Sequence, residues 1–127
     1  MNISKFTIKS QEAIQQSQQL AQSFGQQQIE NEHLFRAIFE VDENVAPFLL
    51  KKLNVNVPLL LQILDSTIQS FPKVSGGDVM LSRTANNTLN EAEIIAKKMN
   101  DEFVSIEHLI LAIFASKSKV AQILKDQ

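Results

Sequence analysis

The feature that most constrains the fold is a phrase the chain uses twice. Glu30 to Phe39 reads ENEHLFRAIF and Ser105 to Phe114 reads SIEHLILAIF, with His33 and His108 75 positions apart. The offset holds well beyond the phrase, which separates a structural duplication from a chance word. Ala13, Ile14, Ser17, Leu20, Ala21 and Phe24 form a stripe matched by Thr88, Leu89, Ala92, Ile95, Ala96 and Met99. Downstream, Val45, Ala46 and Leu49 correspond to Val120, Ala121 and Leu124.

Spacings of three and four residues are those of amphipathic helices. Gly25 and Asn100 supply matching helix stops. Thr7 and Ser82 are equivalent, and each carries a hydroxyl that can accept from the free amides of a first helical turn. Each copy therefore reads as three helices. Between the copies, Asn56, Val57 and Pro58 read as the cap and first turn of a bridging helix that must end before Pro72. The stretch PKVSGGDVM that follows is a turn-rich connection.

The spacing predicts one all-α domain over residues 1–127, a bundle of about seven or eight helices built from two pseudo-twofold repeats. Repeat one covers about 4–54, the bridging helix and loop about 55–80, and repeat two about 81–127. Neither copy can bury its apolar face alone, so the two should share a core. Ala37 and Ala112 mark expected close helix contacts, and Phe39 and Phe114 are expected to fill the interior.

Composition excludes several functions. With 44% hydrophobic residues and only three Gly and three Pro, the chain suits an ordinary core. It lacks cysteine, so disulfides and thiolate chemistry are out, which is compatible with a reducing compartment. A net charge of −2 with scattered Lys and Arg offers no stripe for nucleic acid. The start has no secretory pattern, and VPLLLQIL is far shorter than the roughly 20 apolar residues of a membrane span. The Gln-rich run after Ala13 holds helical register and reads as a solvated face.

No catalytic set is expected. There is no G-x-S-x-G elbow, and SGGD is not followed by the Lys and Ser or Thr of a phosphate loop. His33 and His108 lack HExxH spacing and thiolate partners, so no metal site is expected, and both read as packed first-turn residues. Glu32 and Glu107 lie in helix first turns, where the dipole favours negative charge. They are also candidate surface carboxylates that could, beside the hydroxyls of Thr7 and Ser82, receive basic groups of a bound chain.

The duplicated EHL phrase, the hydroxyl-capped long helices and the FPKVSGGDV connection together resemble the double Clp repeat, the N-terminal domain of Clp AAA+ unfoldases. The resemblance covers essentially the whole chain. The connection and NDEFVSIEHL resemble the disaggregase branch more than the members that feed a peptidase. This implies an appendage of a hexameric ring, binding unfolded or aggregated polypeptide through an apolar groove and passing it to the motor. It implies cooperation with an Hsp70-type chaperone, a cytoplasmic location, a monomeric isolated domain, and no cofactor here, ATP and Mg belonging to the parent protein. It also assigns importance for chaperone activity to Thr7, Asp101 and Glu107. In peptidase-linked relatives, glutamates matching Glu32 and Glu107 receive phosphoarginine. Docking of a folded adaptor is the second reading.

This chain departs from the family's pattern at Asn31, which stands where many relatives cap with Thr or Ser, and at Ile106, which moves the second cap back to Ser105. The apolar groove is expected where the starts of the two long helices meet, at Phe6, Leu81 and Leu89.

Overall fold

The computed structural model describes residues 3–74 and 76–126. Ser75 of the predicted connection and Gln127 at the end of the predicted second repeat lie outside the described residues. A short 3-10 turn, Ile3–Lys5, leads into α1 (Ile8–Ser23), β1 (Gln28–Ile29), α2 (Asn31–Val41) and α3 (Val45–Lys52). The bridging helix α4 (Val57–Gln69) follows, then β2 (Met80–Leu81), α5 (Arg83–Lys98), α6 (Ile106–Ala115) and α7 (Lys119–Lys125). Seven α-helices among the described residues agree with the expected all-α bundle, and α1, α2 and α3 recur as α5, α6 and α7.

The predicted boundaries follow from local chemistry. Thr7 Oγ1 accepts from the Ser10 N–H at 3.2 Å and Ser82 Oγ from the Ala85 N–H at 3.0 Å, starting the two long helices. Gly25 and Asn100 both take positive φ, 69° and 60°, and turn the chain off their ends. Asn56 caps α4 by accepting from the Leu59 N–H, with Pro58 in the first turn. One cap differs from expectation. The N-cap of α2 is Glu30 rather than Asn31, which lies inside the helix and donates to Thr88 Oγ1 and Ser116 Oγ of the other copy.

The two copies hold each other through reciprocal backbone pairing. Ile29 sits opposite Leu81 in the parallel β1–β2 pair, and Phe6 is bridged to Val104 in the same sense. Ser82 N–H donates to the Ile29 carbonyl at 3.0 Å, and its equivalent, Thr7 N–H, donates to the Val104 carbonyl at 2.9 Å. The residue before each long-helix cap is thus tied to the segment before the other copy's second helix. The shared core runs between the copies, with Phe35, Ile38, Leu89, Leu109 and Ile113 fully enclosed.

This pairing corrects two expectations. Phe6 is 2% exposed and Leu89 0%. Both belong to the core, and Leu81 is half-buried against it, so these three residues form a packed seam and do not line a surface groove. Phe114 is also corrected: it is 41% exposed, while its equivalent Phe39 is half-buried and packs edge-on to Phe35 at 5.3 Å.

Candidate functional site

The two EHL turns share one hydrogen-bond design. In α2 the Glu30 N–H donates to His33 Nδ1 at 2.9 Å, and in α6 the Ser105 N–H donates to His108 Nδ1 at the same distance. An accepting Nδ1 leaves the ring proton on Nε2. His33 Nε2 donates to Gln26 Oε1 at 2.7 Å, and His108 Nε2 to Asp101 Oδ2 at 2.8 Å. Both histidines are therefore spent on capping, the packed role expected of them. Burial pushes the His33 pKa down from 6.5 to about 4, because a charged imidazole would lose its hydration there.

The copies diverge at the glutamates. Glu32 is buried and its Oε2 accepts from the Val120 N–H of α7 at 2.7 Å. Desolvation raises its pKa, and the bond from Val120 partly offsets that. Glu32 is thus a structural cap for the opposite copy, which corrects its placement as a surface contact. Glu107 is exposed and accepts from Ser105 Oγ at 3.1 Å.

The start of the third helix also differs between the copies. Copy one caps α3 with its own Asp42, whose Oδ2 accepts from the Ala46 N–H at 2.9 Å. Copy two has Lys117 at the equivalent place, and an ammonium cannot accept. In copy two Ser118 Oγ accepts from the Ala121 N–H, the counterpart of the Ala46 amide, at 3.3 Å, and Glu32 adds a bond from the Val120 N–H. The carboxylate of Glu107 is left at the surface.

Asp101 and Glu107 belong to one local network, joined through His108 and Ser105, with Ser105 Oγ 3.0 Å from His108 Nδ1. Thr7 is half-buried and Ser82 buried, and both hydroxyls are engaged as caps. Of the predicted polar residues, Asp101 and Glu107 alone are exposed. The structure brings neither Thr7 nor Ser82 into an open site with them.

Glu107 instead borders an apolar groove of about 830 Å³. Its floor is one face of α6, where Glu107, Ile110, Leu111 and Phe114 recur at helical spacing. Leu49, Leu53 and Val55 form one wall, and Met99, Leu124 and Lys125 the other part of the lining. Leu53, Met99, Leu111 and Phe114 are 67%, 51%, 48% and 41% exposed. Together these large apolar side chains form an exposed apolar patch. Lys125 lies 6.0 Å above the Phe114 ring, so a cation borders the groove as well. These apolar residues were missed because α6 is apolar on nearly every face, a pattern that in itself signals contact on two sides.

The chain is thus a helical domain of two interlocked three-helix repeats, with an apolar groove edged by a carboxylate. A family model for the Clp repeat N-terminal domain matches residues 5–127, and this chain belongs to that family. It is 48% identical over 126 residues to the chaperone protein ClpB of Bacteroides thetaiotaomicron, covering 99% of this chain and 15% of that one. Identity to ClpB of Porphyromonas gingivalis is 41% over 126 residues, with the same coverage. The chain thus spans about 15% of the length of the curated relatives it matches.

Among solved structures, the Hsp104 N-terminal domain from Candida albicans superposes with a TM-score of 0.86 at 19% identity, over 96% of this chain and 81% of that one. The N-terminal domain of the ClpV1 ATPase from E. coli gives 0.85 at 17% identity, over 96% and 77%. Identities this low speak to the fold alone. Among the described residues, no helix is long and apolar enough to cross a membrane.

Proposed function

We propose that this domain is the client-recognition module of an ATP-dependent protein disaggregase, and that its client site is the α6 groove. The observation that carries the reading is the groove itself: four large apolar side chains held in the open beside the exposed carboxylate of Glu107. Exposed apolar segments of an unfolded chain would lose water against Leu53, Met99, Leu111 and Phe114. A Lys or Arg of the client would meet Glu107. Because Asp101 holds His108, which sits against Ser105 and through it Glu107, Asp101 acts as a positioning residue for that carboxylate. Thr7 contributes through the seam it caps.

Glu107 is also the one of the two family glutamates open to a phosphoarginine side chain, since Glu32 is already occupied. In this reading ATP and Mg serve the hexameric ring of the parent protein, which works in the cytoplasm with an Hsp70-type partner.

The test is chemical-shift titration of the labelled domain with a permanently unfolded protein, such as reduced and carboxymethylated lactalbumin. Shifts are expected at Leu53, Met99, Glu107, Leu111 and Phe114. Shifts confined to Phe6, Leu81 and Leu89, or none at all, overturn the groove assignment. Saturable binding of one folded partner with no response to unfolded chains supports adaptor docking instead.

A further inference from the structure

A second opening lies between α5 and the C-terminal end of α6. It is a polar cleft of about 420 Å³, and Thr84, Thr88, Glu91, Ala115, Ser116 and Lys117 are among the residues that line it. Its equivalent in copy one, between α1 and α2, is bridged by side chains. Lys9 Nζ donates to the Val41 carbonyl at the end of α2 at 2.8 Å, and Gln16 Nε2 donates to the Glu40 carboxylate. Under the 75-residue offset, Lys9, Val41, Gln16 and Glu40 become Thr84, Ser116, Glu91 and Ala115. A threonine is too short to span as a lysine does, and an alanine side chain accepts nothing. Both places lie wholly within the described residues.

The floor of the open cleft is polar where its counterpart is apolar. Asn31 Nδ2 donates to Thr88 Oγ1 at 2.8 Å and to Ser116 Oγ at 3.0 Å, so the amide stands directly behind two cleft hydroxyls. The equivalents of Asn31, Thr88 and Ser116 are Ile106, Ala13 and Val41. Asn31 is fully buried, and its Oδ1 has no hydrogen-bond partner among the described residues. A buried carbonyl left without a donor is costly, so the fold carries an acceptor here that it does not use. Glu91 is half-buried and Lys117 exposed, and among the described residues neither has an ion pair. The end of α6, at Ser116, adds the negative pole of a helix dipole.

We infer that this cleft binds a primary alkylammonium group, the end of a partner chain's lysine or of a free polyamine. The ammonium takes the place that Lys9 fills in copy one. It donates to the Ser116 carbonyl and pairs with Glu91, while its apolar stem lies along Ala112 and Ala115. Lys117, at the rim, opposes a second cation and holds the affinity down. This cleft and the α6 groove share no lining residue, so the inference stands apart from the client-groove reading.

The test titrates the labelled 127-residue chain with Nα-acetyl-lysine methylamide and with its norleucine analogue, which keeps the stem and lacks the ammonium. The lysine compound is expected to shift Thr84, Thr88, Glu91 and Ser116 with a Kd on the order of millimolar, and the norleucine compound to leave them in place. Glu91→Gln should weaken binding at least about fivefold, and Lys117→Gln should strengthen it. Thr84→Lys supplies the ammonium from within, as Lys9 does in copy one, and should abolish the response with a Tm no lower than that of the native chain. Equal shifts from both compounds, no shift at these residues, or undiminished binding by Glu91→Gln or by a folded Thr84→Lys chain overturns the inference. When the lysine compound binds as expected, tighter binding of cadaverine supports a free polyamine as the source and weaker binding supports a protein lysine.

Discussion

The two copies differ most where their sequences look most alike. The α2 face of copy one is closed by α4, with Arg36 paired to Asp65 and Glu32 buried against α7. The α6 face of copy two keeps the same helix start, and among the described residues Leu111 and Phe114 stand open. Among the described residues the α2 face is thus packed and the α6 face open.

Substitutions in the two halves should separate accordingly. The largest expected effect is on the closed face: Phe35→Ala empties a fully buried ring site and should cost about 3–5 kcal/mol in chemical denaturation. Phe114→Ala, at the open face, should leave stability nearly unchanged and lower client affinity. Similar losses of stability from both would break the comparison.

Acid should act next, through copy one. The His33 pKa is lowered in the folded state, so the unfolded chain binds the extra proton in the window between about 4 and 6.5. The stability tied to the neutral ring is present above pH 6.5 and lost as pH falls through about 4, a loss on the order of a few kcal/mol. Glu32 acts with the opposite sign. Its raised pKa means that the folded state holds a proton longer, so its contribution is present below pH 4.5 and declines as pH rises. Denaturation midpoints measured from pH 7 to pH 4 should fall less steeply in His33→Gln than in the native chain.

The paired glutamates give the finer comparison. Glu32→Ala orphans the Val120 N–H at the start of α7 and should cost about 1–3 kcal/mol, read as a drop in Tm. Glu107→Ala removes a first-turn charge worth about 0.3–1 kcal/mol and should shift Tm by a few degrees at most. In the full-length protein the second change should still reduce disaggregation. A Tm loss in Glu107→Ala equal to that in Glu32→Ala would return both residues to a structural role.

Much of the fold was legible because the constraints are local. The caps at Thr7, Ser82 and Asn56, the stops at Gly25 and Asn100, and the end of α4 before Pro72 each follow from the conformational chemistry of one or two residues. The site was less legible because it depends on what covers a surface. Phe39 and Phe114 share one periodicity, and only the placement of α4 makes one half-buried and the other open. Phe6 and Leu81 looked like local staples, yet backbone pairing between copies draws Phe6 into the core and Leu81 against it. One clue was present in the chain: Arg36 on the closed face is replaced by Leu111 on the open one. An apolar residue where the other copy keeps a charge marked the more exposed of the two surfaces.

The central claim, that the uncovered α6 face binds clients and does not hold the fold together, is tested most directly by Leu111→Asp in this chain. Tm and affinity for a fluorescently labelled unfolded protein would be measured on the same sample. The account predicts a Tm within a few degrees of the native value, since Leu111 is already half in water, with affinity reduced at least about tenfold by a charge placed in the apolar floor. Undiminished binding by a folded Leu111→Asp domain would contradict it.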